Sequence, residues 1–143
     1  MGLLDKLFGG SSKPQHPAPA SAQPAKAPEP PAQEIRWTEL TPEQCRQRIE
    51  AGGVVVLDVR TRHEHENRRI PGSLLMPVQV LASRYEELDP KAEYIVHCEH
   101  GMRSTDASYF LVMKGFARVS EMAGGLAMYQ GPTERGPVKP AGA

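Results

Sequence analysis

The run from Val54 to Val59 constrains the fold more than any other segment. It is apolar at consecutive positions and is interrupted only by Asp58. A strand with one face in water alternates apolar and polar residues, so a continuous β-branched run indicates a strand that is buried on both faces. Such a strand lies in the centre of a mainly parallel sheet. We therefore expect an α/β domain with helices on both faces of its sheet.

The rest of the chain supplies the elements that such a sheet requires. The clearest helix start is at Thr41, which predicts an N-cap, with Pro42 at the first helical position and Gln44 completing a capping box. Leu40 and Cys45 predict the hydrophobic staple of the same helix. The expected strands are 35–37, 54–59, 73–76, 94–97 and 119–122, and the expected helices are 42–51, 63–68, 78–88, 104–114 and a short one from Gly124-Gly125 to Tyr129.

Cys98 lies between the apolar strand 94–97 and the helix that begins near Ser104. Such a strand-to-helix turn directs backbone N–H groups and the positive end of a helix dipole into one small volume. Cations and helix N-termini lower the pKa of a thiol, and the thiolate is the nucleophilic form. We expect the guanidinium of Arg103 to make the largest contribution, because a nearby cation outweighs a helix end. Glu99 is expected to oppose it.

Composition excludes several function classes. The 143 residues carry 17 basic and 17 acidic side chains, so no general attraction to nucleic acid is expected. The two cysteines lie far apart, without a Cys-x-x-Cys pair, which argues against a disulfide framework and a structural zinc site. The first ten residues are too short and too charged for a signal peptide or a membrane span. We expect a cytoplasmic protein without a transmembrane segment and without a cofactor.

Residues 1–33 are expected to lie outside the folded domain. Residues 11–33 are mainly proline, alanine and small polar residues, a composition typical of an extended, disordered spacer. Leu3, Leu4, Leu7 and Phe8 recur at helical spacing and form a short amphipathic patch, which could contact a membrane or a partner. The sequence predicts a disordered tail and linker over 1–33, a folded domain over 34–132 and a loose tail over 133–143.

Several motifs of this chain resemble those of the rhodanese family of sulfurtransferases. They occur in the family's order and spacing: Leu57-Asp58-Val59-Arg60, Glu64, Ile70-Pro71-Gly72-Ser73, Cys98-x-x-Gly101-x-Arg103-Ser104, and Gly115-Phe116 through Gly124-Gly125. The chain differs from many members at Arg68-Arg69, where Gly-His is frequent, and at Tyr129, where Trp is frequent. The resemblance implies a five-stranded, mainly parallel rhodanese-like sheet with helices on both faces.

The resemblance also implies the chemistry. Cys98 attacks the outer sulfur of a donor such as thiosulfate, carries it as a persulfide and passes it to an acceptor such as cyanide or a thiol, with ping-pong kinetics. Asp58, Arg60 and Glu64 are interpreted as a structural ion-pair set beside the site, and Glu99 makes thiosulfate a doubtful physiological donor. The residues expected to surround the substrate are Glu99, His100, Gly101, Met102, Arg103 and Ser104.

Three alternatives stay open. A cysteine phosphatase also combines a His-Cys pair, inward N–H groups and an arginine, but such loops hold five residues between cysteine and arginine, whereas this chain has the four from Glu99 to Met102. A metal site could be assembled from Cys98 and the nearby histidines, yet no tetrahedral set is evident and no metal is expected. The third alternative is a persulfide carrier or sensor module that receives sulfur from, or donates it to, a partner protein.

Overall fold

The computed structural model describes residues 36–138, which are built around a five-stranded sheet with all pairings parallel. The strands are β1 (Thr38–Leu40), β2 (Val55–Asp58), β3 (Leu74–Leu75), β4 (Glu93–His97) and β5 (Arg118–Met122), in the order β1-β5-β4-β2-β3. The predicted fold class is confirmed. The predictions for the tail over 1–33, for Ile35 and for residues 139–143 lie outside the described residues.

Four α-helices connect the strands. They are α1 (Pro42–Ala51), α2 (Arg62–Asn67), α3 (Val78–Arg84) and α4 (Met102–Met113), with 3₁₀ turns at Tyr85–Glu87 and Leu126–Met128. The predicted capping box of α1 is present, and Gly52 ends the helix. A second capping box, which the sequence analysis did not identify, starts α2 with Thr61 and Glu64.

The first strand begins later than predicted. Residues 38–40 pair with β5, with Thr38 opposite Ser120 and Leu40 opposite Met122, whereas Trp37 precedes the strand. The Trp37 side chain donates a hydrogen bond of 2.8 Å to the Glu121 carboxylate. Trp37, which was predicted to lie in the strand, therefore precedes it and binds the buried Glu121 instead.

The sheet is covered on both faces, as the apolar run predicted. Leu57 and Val96 face one core, which α3 and α4 close with Leu81 and Leu111. Their strand neighbours face the other core, between the sheet, α1 and the segment after β5. The buried members of that second core are Leu40, Cys45, Val56, Ile70, Ile95, Met122, Leu126 and Tyr129.

The segment after the domain is attached more firmly than the prediction of a loose tail from residue 133. Glu134 pairs with Arg69 through two backbone hydrogen bonds of 2.8 and 2.9 Å and through an ion pair of 3.0 Å. Arg69 also donates to the Gly136 carbonyl, and the Val138 N–H donates to Glu66. Arginine and glutamate side chains of the α2 region thus hold residues through 138, which composition alone did not reveal.

Candidate active site

The carboxyl ends of β2, β4 and β5 bring the candidate site residues to one edge of the sheet. Asp58 ends β2, Cys98 directly follows β4, and Gly124 lies just beyond β5. Ligand sites of open parallel sheets lie at this edge, because the loops that leave neighbouring strands converge there. The Cys98 thiol therefore lies at the edge of the sheet where the loops that leave neighbouring strands can surround it.

The loop after Cys98 closes around its sulfur. The Gly101 N–H lies 3.0 Å from Sγ, and the Ser104 hydroxyl lies 3.5 Å from it. Gly101 has φ of 109°, a left-handed conformation that favours glycine, and α4 starts directly after it. That start is two residues earlier than predicted, because the turn at Gly101 lets Met102 and Arg103 join the first helical turn.

The Cys98 environment favours the thiolate. Burial by itself raises the pKa of the thiol, but hydrogen bonds from the Ser104 hydroxyl and from the N–H groups of Ser104, Gly101 and His100 outweigh it. The pKa of Cys98 is therefore lowered. Arg103 was expected to cause most of this lowering, but the hydrogen-bond donors of the loop dominate instead.

Arg103 is already engaged by an acid. Its two terminal nitrogens donate to the two oxygens of Glu64 at 2.7 and 2.9 Å. Glu64 also accepts from Thr61 as part of the α2 capping box, and these donors lower its pKa to about 2, with Arg103 as the largest cause. A bidentate pair holds a guanidinium in a fixed plane. Arg103 is thus positioned at the first turn of α4, with its charge shared with Glu64.

A second ion-pair group lies beneath the loop. Arg60, which is 2% exposed, donates to both oxygens of Asp58 at 2.9 and 2.8 Å and to Glu99 at 3.0 Å. His65 lies 2.8 Å from the same Asp58 carboxylate. Burial opposes ionisation of Asp58, but the hydrogen bonds from Arg60 and His65 outweigh it and keep the pKa of this carboxyl lowered. Glu99, which was expected to oppose thiolate formation, is therefore paired with Arg60, and this ion pair offsets part of its charge.

His97, at the end of β4, uses only one of its two ring nitrogens in a hydrogen bond to a described residue. Its Nδ1 lies 3.1 Å from the Cys98 carbonyl, and among residues 36–138 its buried Nε2 has no hydrogen-bond partner. Burial lowers the pKa of His97 and keeps the ring neutral. It packs on the strand end as an uncharged support for the loop.

The glycine pair after β5, Gly124-Gly125, packs against the backbone of the loop that follows Cys98. A Cβ placed on Gly125 would lie 2.4 Å from the Glu99 carbonyl oxygen, so only glycine permits this approach. The next two N–H groups, of Leu126 and Ala127, donate to the carbonyls of Cys98 and Glu99 at 2.9 and 3.0 Å. The family-like Gly-Gly motif therefore fixes the backbone on which the thiol is carried.

The two arginines before the Ile-Pro-Gly turn have separate structural uses. Arg68 donates to the carbonyls of Leu126 and Tyr129 at 3.3 and 3.2 Å, which secures the turn that supports the loop. Arg69 holds the segment around Glu134, as described above. The departure from Gly-His thus adds contacts at the periphery of the site.

The predicted loop residues do not all face the sulfur. Met102 is 81% exposed, His100 is exposed, and Glu99 binds Arg60. Gly101, Ser104 and the His100 backbone are the predicted residues that bond the thiol. Within residues 36–138 no three His, Cys, Asp or Glu side chains are grouped for a metal ion.

Glu121 lies near the thiol and was not predicted to belong to the site. It was counted as part of the last strand, yet it is buried and accepts hydrogen bonds from Trp37, Ser104 and Thr105. The available signal was a charged residue, Glu121, inside the predicted strand 119–122. An acid in such a position needs buried donors, which a linear pattern does not reveal.

Comparisons with known proteins agree with the fold. The family model described as "Rhodanese-like domain" matches residues 41–131. A thiosulfate sulfurtransferase GlpE of Stutzerimonas stutzeri is 33% identical over 66% of this chain and 85% of its own length. No helix in the described part of the chain is long and apolar enough to span a bilayer.

Two solved structures are similar as well. The Alr3790 protein of Anabaena has a TM-score of 0.60 and 31% identity, over 68% of this chain and 80% of that one. An NAD-dependent persulfide reductase of A. fulgidus has a TM-score of 0.54 and 29% identity, over 66% of this chain and 16% of that larger protein. The motifs, the sheet and the family match together lead to one conclusion: the chain belongs to the rhodanese-like domain family.

Proposed function

We propose that this protein is a sulfurtransferase that carries a sulfane sulfur on Cys98. The observation that carries the proposal is the enclosure of the Cys98 sulfur by hydrogen-bond donors, with the Gly101 N–H at 3.0 Å and a lowered thiol pKa. A nucleophilic thiolate and a persulfide both place negative charge on sulfur, and both are stabilised by the same inward donors.

The proposed reaction is a double displacement. The Cys98 thiolate attacks the outer sulfur of thiosulfate, a new S–S bond forms, and the S–S bond of the donor breaks as sulfite leaves with the electron pair. The acceptor, cyanide or a thiolate, then attacks the outer sulfur of the persulfide and returns Cys98 as a thiolate. The two half-reactions share the covalent intermediate, so ping-pong kinetics are expected.

The surroundings of the loop bear on the choice of donor. The ion pair between Arg60 and Glu99 partly neutralises the acid beside the nucleophile, which favours an anionic donor. The bidentate pair between Arg103 and Glu64 works in the opposite sense, because a dianion must compete with Glu64 for the guanidinium. Thiosulfate is therefore a chemically competent donor whose binding is expected to be weak.

A second candidate function is a persulfide carrier or sensor in a reducing, cytoplasmic setting. The commitment of Arg103 to Glu64 favours it, since a neutral or protein-bound persulfide does not need a free guanidinium. The structural similarity to an NAD-dependent persulfide reductase is consistent with a protein donor or acceptor. In this function Cys98 receives sulfur from a partner and passes it on.

Intact mass spectrometry tests the proposal. After incubation with thiosulfate or glutathione persulfide, the protein is expected to gain the mass of one sulfur atom, and cyanide is expected to remove it. Cys98→Ser should gain none, and Cys45→Ala should behave as the wild type. Sulfur addition that survives in Cys98→Ser would refute the assignment.

The rates of uptake separate the two functions. Rapid uptake from thiosulfate with steady turnover to cyanide identifies the enzyme, whereas slow uptake from thiosulfate with rapid uptake from glutathione persulfide identifies the carrier. Cys98-dependent hydrolysis of an aryl phosphate would instead favour the phosphatase alternative.

A further inference from the structure

Glu121 is a buried acid connected to the nucleophile through one hydroxyl. It lies on β5, is 3% exposed, and its Oε2 accepts from the Ser104 hydroxyl at 2.7 Å. The same hydroxyl lies 3.5 Å from the Cys98 sulfur, and Ser104 is fully buried. Sulfur, hydroxyl and carboxylate thus form a continuous buried chain of three groups.

The donors on Glu121 hold it in place without neutralising it. The Trp37 indole N–H donates to Oε1 at 2.8 Å, and the Thr105 hydroxyl donates to Oε2 at 2.9 Å. These donors and Ser104 are all neutral. A buried carboxylate that accepts hydrogen bonds from neutral donors remains sensitive to any further negative charge nearby.

The Ser104 hydroxyl cannot serve both of its anionic neighbours. A hydroxyl has one hydrogen to donate, and it accepts with its lone pairs. When Glu121 is ionised, Ser104 donates to the carboxylate and can only accept from the Cys98 S–H. When Cys98 is a thiolate, the hydrogen of Ser104 is needed at sulfur, and Glu121 loses its closest donor.

We propose that Glu121 accepts the proton of Cys98 through the Ser104 hydroxyl and thereby acts as the positioning residue that controls thiolate formation. The S–H bond breaks as that proton binds to the Ser104 oxygen, and the original Ser104 proton moves to Glu121. The products are a thiolate and a neutral carboxylic acid, so the buried unit keeps one negative charge throughout. The inference rests on the proposed function, which requires the Cys98 thiolate.

Other titratable and charged groups face the same region. Glu39 lies at the same register on β1, while β4 presents the apolar Val96 to Glu121. On the thiol side, Arg103 and the exposed His100 belong to the loop. The imidazole of His100 is a second ionisable group of the loop, so its contribution needs a separate control.

The pH dependence of Cys98 alkylation by iodoacetamide tests the relay without any sulfur donor. Because Cys98 and Glu121 are coupled, the pair should lose its two protons in two steps. The alkylation rate of the wild-type protein should therefore rise at low pH, reach a shoulder and rise again at higher pH. Glu121→Gln cannot accept the proton and removes the negative charge. Its profile should have a single rise, with the main inflection at least about one pH unit lower.

A second variant gives the opposite shift and does not depend on the folding of Glu121→Gln. Trp37→Phe removes a donor from the ionised carboxylate, so proton transfer to Glu121 becomes more favourable and the low-pH shoulder should grow. His100→Gln should keep the two rises, and Glu87→Gln, which removes an exposed distant carboxylate, should leave the profile unchanged.

The outcomes are separable. Two rises retained in Glu121→Gln, an upward shift of its main inflection, or a shoulder in Trp37→Phe that stays the same or shrinks would each overturn the relay. Loss of the shoulder in His100→Gln would also overturn it. If wild type shows the two rises but gains no sulfur from either donor, the proposed function fails and the relay stands.

Discussion

Cys45 and Cys98 are both unpaired and both buried, with 0% and 1% exposure, yet their chemistry differs. Cys45 lies on α1 in the core with Leu40 and Ile95, and burial raises its pKa to about 12. Cys98 follows β4, and hydrogen bonds lower its pKa in spite of burial. Burial alone therefore does not determine the pKa of a cysteine in this protein.

The difference lies in what each thiol faces. At Cys45, the charge of Arg48, which lies outside the core, lowers the thiol pKa, but this effect is smaller than the increase caused by burial. At Cys98, short-range hydrogen-bond donors lower the thiol pKa by more than burial raises it. The Ser104 hydroxyl is the largest of these contributions, followed by backbone N–H groups. Directed hydrogen bonds at about 3 Å stabilise an anion more than a distant charge does. Four predictions test this comparison.

The largest expected effect is on alkylation rates. A thiol with a pKa of about 12 is ionised to about one part in 10⁵ at pH 7, whereas a pKa below 9 gives at least about one part in 10². In the native protein Cys98 should therefore react with iodoacetamide at least about a thousandfold faster than Cys45. Peptide mass spectrometry measures alkylation at both cysteines. In denaturant the two alkylation rates should become similar, because unfolding removes both environments. Equal native rates would break the comparison.

The next effect tests whether the glycine pair is what holds the donors around Cys98. Gly125→Ala introduces both an unfavourable left-handed conformation and a clash with the Glu99 backbone, and should destabilise the protein by at least about 3 kcal/mol. Gly53→Ala, at a similar φ of 82° with no atom within 4 Å, is the matched control and should destabilise by about 1 kcal/mol.

Denaturant unfolding measures both glycine variants, and Cys98 alkylation should slow in the Gly125 variant alone. If the two variants were equally stable, the close approach of the loop to Gly125 would be disproved.

The comparison is sharpened by separating hydrogen bonding from charge at Cys98. Ser104→Ala removes the leading donor, so the thiol pKa should rise and the alkylation rate near neutral pH should fall about tenfold. Arg103→Ala should change that rate less, because the guanidinium is shared with Glu64, although it should weaken binding of an anionic donor. A larger effect of Arg103→Ala on alkylation would restore the charge-dominated account.

The smallest effect concerns the pair that holds Arg103. The folded pKa of Glu64 is about 2, below its ordinary 4.5, so its stabilisation is present above pH 4.5 and is lost as pH falls toward 2. Glu64→Gln should lower the free energy of unfolding at pH 7 by about 1 kcal/mol, after allowance for partial exposure. The difference from wild type should vanish near pH 2.

Glu87→Gln, which breaks an exposed pair with Arg84, is the control for Glu64 and should change stability by less than about 0.5 kcal/mol. A difference at Glu64 that persists at pH 2 would contradict the ion-pair explanation.

Features that depend on neighbours in the chain were predictable. The capping box at Thr41, the buried run ending at Asp58 and the turn that carries Cys98 all follow from local spacing, and the structure contains each of them. The position of the first strand at residues 38–40 could not be predicted from local spacing. Trp37 lies outside the strand and donates a hydrogen bond to Glu121, which is 84 positions away in the chain. The bonds of residues 134–138 to the α2 region have the same origin.

The sequence by itself determined the α/β class, the parallel sheet and the position of the thiol at its carboxyl edge, because these rest on hydrophobic pattern and local turns. Only the tertiary structure decided which groups act on that thiol. It bound Arg103 to Glu64 and Glu99 to Arg60, and it brought Glu121 to Ser104. Electrostatic and hydrogen-bond effects depend on distances of a few ångströms between residues far apart in the chain, and only packing sets those distances.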